Sequence, residues 1–321
     1  MNLKQMEYVI SLAETGNFST SAKELFISQP SLSQSIRSLE NELGVILFKR
    51  TIGQQVLTDA GKLFVCSAHQ MLNLQKDLLR QIDDVRNTLS GHVSVGMPVM
   101  YGTTLIPKIL PTFYHLYPGI QISVEEKPIK ELELLLSKGK IDIMLAHLPL
   151  AENIQVCTVL KDERILVATS AHHPLRSLIS TLPQDFAQIP SVALARFQED
   201  TFVYLDKGRR LRGLADELFA EAGFQPKIKL VSNNVHTLHY LTAAGVGVTI
   251  LGEVGPRFSP ISPSPLYFAI DSTKARWSLV VAMRRGGYFS KPAQAFIFAA
   301  KMVFREYYPE TETDADELPP T

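Results

Sequence analysis

Ser28, Gln29, Pro30, Ser31, Ser33, Gln34 and Arg37 share the outer face of a helix whose inner face is Leu32, Ile36, Leu39 and Leu43. Small hydroxyls let a helix approach the floor of a nucleic-acid groove, and an amide or guanidinium offers paired bonds to adenine or guanine edges. Shortly after, Leu47-Phe48-Lys49-Arg50-Thr51 and Val56-Leu57-Thr58 flank Gly53-Gln54, the pattern of a short β-wing. Lys49 and Arg50 at its base would hold phosphate or enter an adjacent minor groove. Such a face suits the major groove.

A second group of candidates lies at the carboxyl ends of expected strands, where two-lobed α/β proteins gather their ligands. Met97-Pro98-Val99-Met100-Tyr101-Gly102-Thr103-Thr104 reads as a turn feeding a helix over 104–116. Exposed N–H groups and threonine hydroxyls there make an anion site, or Thr103 simply caps its own helix. Glu126-Lys127 follows the second strand, His147 the third, Phe202 and Tyr204 a later one, and Ser232-Asn233-Asn234 opens a helix opposite. The helix terminus favours a small organic anion such as a carboxylate, and the apolar Met97, Val99 and Met100 admit an aromatic acid. His147 reads equally as a satisfied structural histidine. Lys207-Gly208-Arg209-Arg210-Leu211-Arg212 reads as a solvated loop and helix start rather than a ligand clamp.

These groups require three zones to position them. Residues 3–58 are short helices divided by turns: Leu3, Met6, Val9, Ile10 and Ala13 mark the first, Gly16-Asn17 ends it, Ser19 caps a second that buries Ala22, Leu25 and Phe26, and Ser28 caps a third with Pro30 in its first turn. Beyond Gly61 a Gly- and Pro-free stretch runs to Ser90-Gly91. Phe64, Met71, Leu78 and Val85 recur every seven residues, with Ala68, Gln75, Ile82 and Leu89 as companions. This seam predicts a linker helix over 59–90 that pairs with a second copy of the chain, Gln75 setting the register. From residue 91 to 308, strands at 92–96, 120–125 and 141–146 alternate with helices, and a second series runs from 163 to 251. The expected lobes are 91–162 with 266–308, and 163–265. The tail 309–321, with Glu310, Glu312, Asp314, Asp316 and Glu317 and no base, is expected to be disordered.

Composition bounds the function classes. The chain has 321 residues, 45% hydrophobic and 20% charged, with 32 bases and 32 acids, so no global positive field advertises a polyanionic partner. Locally, Lys4, Lys23, Arg37, Lys49 and Arg50 face Glu7, Glu14, Glu24, Glu40, Glu42 and Asp59 across residues 1–60. One such domain binds weakly, and dimerisation multiplies its contacts. Cys66 and Cys157 are too few for a disulfide framework and hold no metal-ligand spacing. Charge in the first turns replaces a signal peptide's apolar stretch, and no apolar run would span a bilayer, which together suggest a cytoplasmic protein without a membrane partner. No GxSxG, HExxH, Walker or CxxC pattern offers an enzyme a handle, and Gly245 and Gly247 make no dinucleotide fingerprint. No metal or cofactor is expected.

Residues 3–58, notably Ala22–Leu25, Ser28-Gln29-Pro30-Ser31-Leu32-Ser33, Leu39-Glu40, Leu43-Gly44 and Leu47-Phe48-Lys49-Arg50, resemble the winged helix-turn-helix of LysR-type transcriptional regulators. The length, linker helix and paired lobes extend the resemblance over nearly the whole chain. It implies an α/β protein with an N-terminal winged helix-turn-helix, a long linker helix and a two-lobed effector domain of periplasmic-binding-protein type. It also implies a homodimer formed through linker helices and a dimer of dimers, a homotetramer. Promoter DNA with interrupted inverted repeats, RNA polymerase and a small-molecule effector between the lobes are the implied partners. Carried over by position, Ser28, Gln29, Pro30, Ser31, Ser33, Gln34 and Arg37 match the recognition face and Arg50 the wing base. Met100, Thr103, Thr104, His147, Phe202 and Asn233 fall at the loops where the family contacts effector. Two rival readings are a redox-responsive regulator using Cys66 or Cys157, and a small-molecule binding protein with no regulatory role.

Overall fold

The computed structural model describes residues 1–51, 53–86, 90–180 and 184–309. The chain divides into two compact units, residues 1–87 with 286–288, and residues 88–285 with 289–321.

In the first unit, α1 (Leu3–Thr15) starts at a capping box of Asn2 and Gln5 and stops at Gly16, whose φ of 66° a glycine adopts without strain. Asn17, rather than Ser19, caps α2 (Phe18–Glu24) by accepting from the Ser19 and Thr20 N–H groups. Ser28 caps α3 (Gln29–Leu43), with Pro30 in the first turn where no donor is needed, and Gly44 ends it. Val9, Leu12, Ala22, Leu32, Ile36 and Leu39 close the core against Leu47 and Phe48. Phe26 is not in that core. It sits in the turn at φ 56° and is 95% exposed. Leu43, expected inside, is likewise exposed because it lies in the last helical turn.

The wing is β1 (Phe48–Thr51) paired antiparallel with β2 (Gln54–Leu57). Two contacts hold it to the helices: Glu40 Oε1 accepts from the N–H groups of Leu47 and Phe48 at 2.7 and 3.2 Å, and the Gln55 N–H donates to Gly16 O at 2.8 Å. Then α4 (Asp59–Val85) starts at Thr58. Gly61 lets it touch the wing, since a Cβ there would stand 2.1 Å from Leu47 O. Phe64, Val65, Ala68 and Leu72 pack on Met6 and Ile10 of α1. The first turns of the expected seam are thus used within the unit, while Met71, Leu78, Ile82 and Val85 stay exposed. Leu89 lies outside the described residues, as does the tail from 310 onward.

The second unit contains β3 (Gly91–Met97), α5 (Val99–Thr104), α6 (Ile106–Leu116), β4 (Ile120–Glu126), α7 (Ile129–Ser137), β5 (Ile143–His147), β6 (Ile154–Thr169), β7 (Ser191–Val192), β8 (Thr201–Leu205), α8 (Arg210–Ala222), β9 (Lys227–Ser232), α9 (Val235–Ala243), β10 (Thr249–Gly252), α10 (Val254–Phe258), β11 (Leu266–Ile270), β12 (Arg276–Arg284) and α11 (Lys291–Tyr307). The main sheet runs β4-β3-β5-β12-β6-β11-β7, with β10 also on β6. β3 is parallel to β4 and β5, as crossover helices require, and β12 is antiparallel to β5 and β6. The 16-residue β6 belongs to both lobes: residues 154–164 pair with β12, and residues 165–169 pair with β10 and β11. β11 packs in the second lobe's core, so the chain returns after residue 270 rather than at 265. Among the described residues no helix is long and apolar enough to cross a membrane.

Candidate functional site

On the first unit, α3, the start of α2 and the wing enclose a concavity of about 520 Å³ lined by Ser19, Gln29, Ser33, Arg37, Arg50 and Gln54 among others. The periodicity of α3 that buries Leu32, Ile36 and Leu39 turns Gln29, Pro30, Ser31, Gln34 and Arg37 to solvent, with Ser33 half-buried. Ser28 and Ser31 face one another, Oγ to Oγ at 2.7 Å, and Ser28 Oγ also accepts the Ser31 N–H. Those hydroxyls serve the helix end first. Alternation along β1 separates the wing cations. Arg50 lines the concavity, whereas the Lys49 charge acts on Asp59, whose carboxyl is held below its usual range chiefly by a hydrogen bond from Lys62.

In the second unit, polar side chains converge where β6 passes from one lobe to the other. Glu163 is fully buried, with Oε2 2.7 Å from both His147 Nε2 and Trp277 Nε1, and Oε1 2.8 Å from the Val254 N–H. The imidazole stacks on the indole at 3.6 Å between ring centroids. Tyr101 Oη lies 2.8 Å from the same His147 nitrogen. Burial, and then the Glu163 charge, push the Tyr101 hydroxyl well above its usual pKa and keep it protonated. Beside this cluster Glu253 pairs with Arg164 at 2.6 Å and Arg257 at 3.2 Å.

Two links tie one lobe to the other. Arg210, the first residue of α8, donates to His147 O and to Glu133 Oε1, the latter at 2.9 Å. Thr103 Oγ1 of α5 lies 2.6 Å from His236 Nε2 of α9.

Residues 3–62 match the bacterial regulatory helix-turn-helix protein of the lysR family, and residues 86–305 match the LysR substrate binding domain. The chain belongs to the LysR family. Its relatives include the uncharacterized HTH-type transcriptional regulator YcgK of Bacillus subtilis (strain 168), 31% identical over 97% of both chains. The dual regulator OxyR of Escherichia coli (strain K12) is 31% identical over 78% of this chain and 79% of its own. Full-length OxyR from Pseudomonas aeruginosa, in a Cys-to-Asp variant, has the same fold, with a TM-score of 0.69 at 22% identity over 95% of both chains. This LysR-type protein is a DNA-binding transcriptional regulator with an effector-binding domain.

Several expected contacts of the regulator lie elsewhere than the sequence suggests. Helix α5 begins at Val99, so Thr103 and Thr104 stand at its end, not at a helix start. Their hydroxyls donate to backbone oxygens of Val99 and Met100, and Thr104 is buried, which removes both the anion site and the Thr103 cap. Phe202 lies within β8 in the second lobe's core at 0% exposure, with Tyr204 beside it. Tyr101 and His147 are buried in the crossover cluster, not loop groups. Pro98 and Met100 are half-buried, and Lys127 and Asn233 are exposed. Asn234 caps α9 by accepting from the His236 N–H. Glu126 covers Gly102, where a Cβ would stand 1.5 Å from its Oε1.

Sequence reasoning missed Glu163, Trp277, His236 and Glu133, and it assigned Arg210 to solvent. The acid Glu163 close before the apolar run Ile165–Ala168, and the chain's only tryptophan, are the local signals that could have pointed to the cluster. Of the two thiols, Cys66 is exposed on α4, and burial pushes the half-buried Cys157 thiol up to about 11, away from the reactive thiolate.

Proposed function

We propose that the regulator places α3 in the major groove of an interrupted inverted repeat, with Gln29, Ser33, Gln34 and Arg37 against base edges and Arg50, assisted by Lys49, on the backbone beside it. The observation that carries this reading is the concavity between α3 and the wing, whose outward polar side chains leave the apolar stripe of the helix inside. Two such domains are joined by α4. From residue 71 onward Met71, Leu78, Ile82 and Val85 are exposed while Asn73 and Asp77 are the buried residues, so the apolar stripe is open to a second copy. Pairs of dimers form a tetramer that acts in the cytoplasm and contacts RNA polymerase. A small organic anion, a carboxylate in the simplest case, enters at the seam between the lobes near Met100, Thr103, Lys127 and Asn233. It competes with Glu133 for Arg210, which the sequence had assigned to solvent. Burial holds the Cys157 thiol protonated, opposite to what peroxide chemistry needs, and we take effector binding as the switch.

Selection of genome fragments by the purified full-length protein tests the reading. The expected result is an interrupted palindrome whose affinity falls steeply with salt, and whose selectivity is lost in Arg37→Ala with the fold intact. Binding that is weak and indifferent to sequence, with or without added metabolite mixtures, would overturn it.

A further inference from the structure

Ser19 Oγ, in the first turn of α2, donates to Gln29 Oε1 at 3.2 Å, across the turn that joins α2 to α3. Both residues line the concavity beside the wing. The hydroxyl has no capping duty, because Asn17 Oδ1 accepts from the backbone N–H groups of Ser19 and Thr20 at 2.8 and 3.1 Å. Both side chains are exposed, so packing does not order the glutamine. Left alone, its amide presents the oxygen and the NH₂ to a base edge in either order.

We propose that Ser19 is a positioning residue for base reading: its hydroxyl fixes the sense of the Gln29 amide, so that one donor–acceptor order faces the groove. The inference rests on α3 being the recognition helix. A carbonyl oxygen has two lone pairs. Ser19 occupies one, and the other stays beside the NH₂ group. That pair of groups matches adenine, which sets an N6 donor beside the N7 acceptor, whereas guanine offers two acceptors and meets only one end of the amide. Without the hydroxyl the amide turns over, and one base position in each half-site loses definition while its neighbours keep theirs.

The test is selection from randomised duplexes by the full-length protein and its Ser19→Ala, Ser19→Thr and Gln29→Ala variants, with thermal unfolding followed alongside. Gln29→Ala is expected to erase an adenine preference at one position per half-site. Ser19→Ala relaxes that same position about two- to tenfold, the equilibrium equivalent of leaving one rotamer-rich side chain unordered. Ser19→Thr restores it, and the salt slope and unfolding temperature stay unchanged. Undiminished preference at the Gln29 position in Ser19→Ala overturns the inference and leaves the recognition helix standing. So does an equal loss on all sequences with a shallower salt slope, which marks a phosphate contact. If Gln29→Ala changes no position, the assignment of Gln29 to base reading fails first, and the role of Ser19 falls with it.

Discussion

Replacing Glu163 with alanine removes one carboxylate and strands two donors, the Trp277 indole N–H and the Val254 backbone N–H, at 2.7 and 2.8 Å, while the His147 ring nitrogen keeps Tyr101 Oη at 2.8 Å. Both point at a carboxylate with no solvent exposure. An orphaned buried donor costs about 1–3 kcal/mol, so two set a gross penalty of about 2–6 kcal/mol. The smaller side chain leaves room for water to satisfy part of it, and the expected net loss is about 2–4 kcal/mol. For a domain of this size that lowers the unfolding temperature by about 10 °C. Glu163→Gln keeps an acceptor oxygen and is expected to lose less than half as much. The assay is thermal and urea unfolding of the full chain read by fluorescence. Trp277 is the only tryptophan, so its emission reports the cluster directly. If Glu163→Ala unfolds within about 0.5 kcal/mol of the parent, the usual scatter of neutral surface changes, with unaltered emission, the reasoning about this cluster is wrong.

Glu40→Ala frees the Leu47 and Phe48 N–H groups that anchor the wing, and is expected to cost about 2 kcal/mol and weaken DNA binding, with Glu40→Gln milder in both unfolding and gel-shift measurements. His239 is held neutral: burial first, then the nearby His236 charge, lower it from its usual 6.5 to about 4. Well above pH 6.5 neither the folded nor the unfolded chain protonates it. As pH falls from 6.5 to 4 the unfolded chain takes the proton and the folded one does not, so this residue's share of stability, about 3 kcal/mol, is lost over that window and no further below it. His239→Gln should flatten the stability-against-pH curve between those limits; an unchanged slope argues against the assignment. For the thiols, iodoacetamide at pH 7.5 should modify exposed Cys66 well before Cys157, whose thiol sits near 11, and Cys66→Ser with Cys157→Ser should retain operator binding. Loss of that binding in a folded double variant would reinstate a redox role.

The helix-turn-helix was legible because its signals are local. Gly16, Ser28, Pro30 and Gly44 each act within about one helical turn, and the spacing of Leu32, Ile36 and Leu39 alone assigns the inner and outer faces of α3. Where a local pattern carried no geometric sense, it misled. Apolar spacing put Phe26 inside, although a left-handed turn residue at that point aims it at solvent. Threonines following a strand looked like a helix start, although α5 had already begun at Val99. Phe202 was displaced for a related reason: a strand placed a few residues early turns its core residues into loop residues.

What the sequence by itself determined is the order of parts and the face each presents, since propensity, caps and hydrophobic period depend on neighbours in the chain. The meeting of parts was decided only in three dimensions. Glu163 reaches partners 16, 91 and 114 positions away, and Arg210 finds Glu133 at a separation of 77. A buried carboxylate is tolerated only where donors converge on it, and no periodicity along the chain records which donors those are. Nor does it record the sheet order in which one strand, β6, serves both lobes and so carries Glu163 to the crossing.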